Sequence, residues 1–213
     1  ALQGAIALSP ELLYAHYLLA FLDFQENRLN EAANAVHELL TKDAHFWPAY
    51  TLLGNVLFAQ HDFQGAVNSY KKALTLFSDD ATTHNDLGIA LIQLEQFDEA
   101  VFQLKEAMRL EPANDSIQYS IASAYRDSGK ADVAIAEYQK LIQRHPDYPG
   151  VHNDLAKIYD QQGKKNQARD EYLKEIEYCK AKLARNENDV LALSDLAFAY
   201  NEIEQSQEAQ KII

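Results

Sequence analysis

The chain has 213 residues, 47% apolar and 24% charged, which excludes a disordered segment; no apolar run approaches the roughly 18 residues a bilayer span requires. Lys and Arg number 19 and Asp and Glu 32, and the resulting formal charge of -13 repels phosphate backbones, argues against nucleic acid and favours basic or polar partners. With 5 Pro, 7 Gly and abundant Ala, Leu, Gln, Glu and Lys the composition favours helix, and the single Cys179 excludes an internal disulfide, which fits a reducing compartment without excluding the periplasm.

Self-similarity organises the chain before any motif does. The segments AYTLLGNVLFAQHDFQGAVNSYKKALTLFS and THNDLGIALIQLEQFDEAVFQLKEAMRLEP align without gaps. Ala20, Gly54, Gly88, Ala122 and Ala156 each lie 34 residues from the last. A second small residue follows twelve places later (Ala32, Ala66, Ala100, Ala134, Ala168), and a bulky one four further on (Val36, Tyr70, Leu104, Tyr138, Tyr172).

In chain order, residues 1–12 read as the end of an earlier copy, carrying Leu2, Ala5 and Pro10 at the matching places. Copies then run 13–46, 47–80, 81–114 and 115–148, each expected to be two antiparallel helices joined by a short turn. The 149–189 copy is longer: Ala156 to Ala197 is 41 residues, seven more than the period. Its segment NQARDEYLKEIEYCKAKLARNEND has no Pro or Gly, so its second helix is expected to run on by about two turns, from about Asn166 to Arg185. Lys174, Glu175, Glu177, Lys180, Lys182 and Arg185 stud the extension, which reads as a solvated protrusion or as a docking edge. The 190–213 copy is incomplete, and with its apolar ends the chain reads as a fragment of a longer array.

These spacings resemble the tetratricopeptide repeat. The 81–114 copy carries the family pattern in Leu87, Gly88, Leu91, Ala100, Leu104, Ala107 and Pro112. The next carries it in Ile121, Ala122, Tyr125, Gly129, Ala134, Tyr138 and Pro146. The resemblance implies an all-α, right-handed superhelical solenoid of antiparallel helix pairs that acts as a protein-protein interaction scaffold. The small residues let the paired helices approach, the bulky residue fills the gap beside them, and Pro ends the second helix. No helix pair can bury its apolar face alone, so the copies must stack.

The resemblance also implies that partners lie along a concave groove lined by the first helices. The residues expected there are Tyr17, Phe21, Phe24, Asn55, Phe58, Asn85, Asp86, Ile89, Tyr119, Ser123, Arg126, Asn153, Asp154, Lys157 and Asp195. The groove drifts from aromatic to acidic along the chain. Asp86, Asp154 and Asp195 recur at the sixth place of their copies, and such a ladder suits peptide backbone or basic ligands. Helix-start propensity explains the same aspartates without a ligand, and packing against a preceding copy explains Phe21 and Phe24. The family's carboxylate clamp for chaperone tails requires basic residues at places held here by Thr51, Ser116 and Ser120. It also requires an asparagine where Asp86 stands; of its residues only Asn55 fits, so chaperone-tail binding is excluded.

No nucleophile elbow, phosphate loop or HExxH motif is present, so no catalytic residue or cofactor is expected. His16, His84 and His152 fall at the fourth place of separate copies, too far apart to share a metal. Gly129 and Gly163 sit at the turn between paired helices, where φ can be positive at low cost. Two other readings compete with the scaffold: homo-oligomeric assembly through the solenoid ends or the long helix, and substrate recruitment for a larger enzyme such as a glycosyltransferase.

Overall fold

The computed structural model describes residues 13–204 and 209–210. The expected end of a preceding copy over 1–12 lies outside the described residues, as does most of the last copy after Glu204. Eleven α-helices and no strand are assigned among the described residues. The chain divides after Ser128 into two compact units.

The first unit holds α1 (Leu13–Gln25), α2 (Leu29–Lys42), α3 (Trp47–Ala59), α4 (Phe63–Leu76), α5 (Ala81–Gln93), α6 (Phe97–Leu110) and α7 (Asp115–Asp127). Helix starts are written locally. Asp62 caps α4, Asp80 caps α5 and Asn114 caps α7, each accepting a backbone N–H of the first turn. Pro48 opens α3, where its missing N–H costs nothing.

Each core cluster joins the second helix of one copy to the first helix of the next. Ala66, Val67 and Tyr70 of α4 pack with Leu87, Ala90 and Leu91 of α5 and with Ala100 of α6. Leu104 and Ala107 of α6 pack with Ile117, Ile121 and Ala124 of α7. A further cluster joins Val36 and Leu39 of α2 to Leu52, Leu53 and Val56 of α3. Such a core exists only through stacking, the physical content of a solenoid. Among the first helices α1 also touches α3, α3 touches α5 and α5 touches α7, more closely than the second helices touch one another, and so these helices line the inner side of this unit.

The turn after each first helix carries one residue in the left-handed conformation. Its left-handed residue is Asn27, His61, Glu95, Gly129, Gly163 or Glu204, with φ between 57° and 74°. Only the two glycines announce this in the sequence. The four others hold a conformation that costs a side-chain-bearing residue roughly 1–2 kcal/mol.

The second unit holds α8 (Ala131–Arg144), α9 (Val151–Gln161), α10 (Lys165–Leu183) and α11 (Val190–Glu202). Helix α10 has 19 residues where the second helices α2, α4, α6 and α8 have 14. Asp189 caps α11. Cys179 opens the added part of α10 and Glu175 lies one turn before it; both are 0% exposed, so Glu175 is not on a solvated protrusion.

Two of the fourth-place histidines act as clasps. His84 sets Nδ1 2.7 Å from Gln103 Oε1 and Nε2 2.9 Å from the Ser78 carbonyl. His152 repeats the arrangement with Glu171 Oε2 at 2.6 Å and the Pro146 carbonyl at 3.3 Å. Each ties the incoming connection to the second helix of its own copy. Burial works against a charged Glu171, but its bonds to His152 and Lys174 outweigh that and hold its carboxyl below the usual range.

Candidate functional site

In the first unit, α1, α3 and α5 form a pocket of about 270 Å³. Phe24 at the end of α1, Phe58 and Ala59 at the end of α3, and Ile89 on α5 supply apolar walls. Asn55, one turn before Phe58, and Asp86, one turn before Ile89, add polar groups. Tyr70 enters from α4.

Tyr70 reaches this place because α3 has no side chain at Gly54. A Cβ there would lie 2.3 Å from Tyr70 Cε1, well inside van der Waals contact, so the ring packs directly on the α3 backbone. The ring is 2% exposed, and its hydroxyl donates to Asn55 Oδ1 at 2.7 Å. Burial, with the Asp86 charge adding to it, pushes the hydroxyl far above its ordinary value, so it stays protonated as a donor.

Asp86 is half-buried. Burial pushes its carboxyl up to about 6, against a bond from Asn85 Nδ2 at 3.3 Å and with the Asp80 charge raising it further. No Lys, Arg or His pairs with it among the described residues. The pocket therefore combines aromatic walls, a fixed hydroxyl–amide pair and a carboxylate without a counter-ion.

The other residues expected on the inner side are placed differently. Tyr17 stacks between Tyr14 at 5.9 Å and Phe21 at 6.4 Å and meets Phe46 edge-on at 5.7 Å. Phe21 is 37% exposed. On α7, Tyr119 is half-buried, Ser123 is buried, and Arg126 pairs with Asp127 at 2.8 Å. In the second unit Asn153 and Asp154 are buried, and Tyr138 Oη donates to Asp154 Oδ2 at 2.9 Å. Lys157 Nζ lies 3.9 Å from Asp154 and 4.8 Å from the Phe198 ring centre. Burial raises the Asp195 carboxyl, and the Lys157 charge opposes it.

The three aspartates of the ladder thus occupy three environments: Asp86 faces a pocket, Asp154 is closed in by Tyr138, and Asp195 lies in the field of Lys157. The sequence carries one pattern at all three and does not tell these environments apart. Each aspartate follows a copy whose bulky residue is a tyrosine (Tyr70, Tyr138, Tyr172), whereas Ser120 follows Leu104 and Leu52 follows Val36. Tyr70, at a place that reads as core filler, is the pocket residue that the groove pattern misses.

Stacked antiparallel helix pairs repeated along the chain define an all-α repeat solenoid, the architecture of protein-interaction scaffolds. The repeats are tetratricopeptide repeats: residues 48–111 match the model "Tetratricopeptide repeat", residues 122–163 match the model "TPR repeat", and the chain belongs to that family. No curated protein matches the sequence. Among solved structures it is similar to YrrB, a TPR protein with an unusual peptide-binding site, at 21% identity over 91% of this chain and 96% of that one, with a TM-score of 0.69. It is also similar to MamA from Desulfovibrio magneticus RS-1 (18% identity, 79% and 96% covered, TM-score 0.73). PilF of Pseudomonas aeruginosa gives 20% identity, 93% and 96% covered, and a TM-score of 0.67. At these identities the likeness establishes the fold.

Proposed function

We propose that the chain is a scaffold that holds an extended peptide across the first-helix face of residues 13–128, with the pocket between α1, α3 and α5 taking one of its side chains. The pocket carries this reading. It is concave and mainly apolar, and its few polar groups converge, the usual make-up of a recognition site. Asn55 and Asn85 add amides able to bond the main chain of any sequence, and the net charge of -13 favours basic or polar segments over acidic ones. The peptide-binding site of YrrB, on the same fold, is in keeping with this use.

A peptide array probed with the full chain tests the proposal. Peptide retained by the wild type should be lost on Phe58→Ser, which removes a pocket wall at a half-buried place. Retention unchanged by Phe58→Ser would refute the pocket as the anchor.

A further inference from the structure

We infer that the pocket selects a lysine or arginine side chain of the bound peptide, the aliphatic stem lying between Phe24 and Phe58 and the cationic head meeting Asp86. The inference rests on the peptide-binding reading above and names the residue class that the pocket prefers.

Size comes first. At about 270 Å³ the pocket is smaller than the roughly 300–1,000 Å³ of sites built for drug-sized ligands, so it holds one side chain. Charge then separates the candidates. Asp86 has no basic partner among the described residues, and Asp80 adds negative field. An acidic guest meets like charge. An apolar guest strips more water from a carboxylate that burial already disfavours, without compensating it. A cation supplies the missing counter-charge in a partly desolvated place, where a charge-assisted bond is strongest.

The walls suit the same guest. Lysine and arginine carry an apolar stem below a charged head, and Phe24, Phe58 and Ile89 match the stem. Aromatic faces attract a cation placed within about 6 Å. Tyr70 spends its proton on Asn55 Oδ1, so it does not compete for Asp86. At neutral pH the Asp86 carboxyl, with its value near 6, is ionised; at pH 5 it is mostly protonated.

The probe is an end-blocked octapeptide library with one position fixed as Lys, Arg, norleucine, Phe or Glu, presented to the full chain at pH 7.5. The best retained Lys or Arg peptide is then compared with its norleucine counterpart by fluorescence anisotropy. The norleucine swap should weaken binding roughly tenfold or more in the wild type, the order of one hydrogen bond to a charged group, and about twofold or less in Asp86→Asn. Discrimination in the wild type should also shrink at pH 5. Norleucine or Phe peptides binding as well as Lys and Arg would overturn the inference and leave the peptide-binding reading standing, as would undiminished discrimination in Asp86→Asn. A chain that retains no peptide in any arm would overturn both.

Discussion

Replacing Asp86 with asparagine should stabilise the protein, and the gain should depend on pH. Burial raises the carboxyl from 3.8 to about 6. A group whose folded value is raised contributes stability that is fully present below its unfolded value and is lost as pH rises through the folded one. The wild type therefore loses stability between about pH 4 and pH 6, and the variant, with no proton to lose, does not. A shift of about two units corresponds to about 3 kcal/mol. Solvent reaching the half-buried carboxylate screens part of this, which leaves an expected gain of about 1–2 kcal/mol at pH 8. Urea unfolding of both proteins, followed by circular dichroism at a series of pH values, isolates the effect because other titrations cancel in the difference. The gain should be complete at about pH 8, roughly halved near pH 5 and absent at about pH 3.5. A difference that stays constant across this range, or a variant less stable at pH 8, would refute the burial argument. A carboxylate that costs the free chain stability is what a site awaiting a cation requires.

Three other perturbations test the architecture. Gly54→Ala should displace the Tyr70 ring from the α3 backbone and cost about 1–3 kcal/mol in urea unfolding; a neutral result would show that the ring has room to shift. Glu95→Gly should stabilise by about 1 kcal/mol by relieving a left-handed residue at φ 57°, read as a higher unfolding midpoint, and a lower midpoint would contradict the strain assigned to that turn. Cys179 is 0% exposed and its thiol is pushed up to about 12, first by burial and then by Glu175. A thiol reagent at pH 8 should therefore label it only when urea unfolds the chain, and rapid labelling of the folded protein would count against a closed α10–α11 contact.

Much of the fold was legible because its determinants are local and repeated. Small residues at Gly54 and Ala66, or Gly88 and Ala100, recur at set distances since paired backbones must approach, and the 34-residue step follows from that. The turn was half legible. Gly129 and Gly163 mark it, but Asn27, His61 and Glu95 adopt the same backbone because the helices on either side demand it, whatever their own preference.

The family resemblance put Phe24, Asn55, Phe58, Asp86 and Ile89 on the inner side, since it records which places of a first helix face inward. It does not record what stands opposite. Tyr70 became a pocket residue only when a side-chain-free spot on α3 let its ring through. Asp86, Asp154 and Asp195 carry one pattern, yet only packing between non-adjacent segments left one facing a cavity without a counter-ion, enclosed the second and set the third in the field of a lysine. Sequence determined the repeat through local geometry, and the resemblance that the repeat carries named the facing residues; tertiary structure alone decided burial, and burial sets the electrostatics of the site.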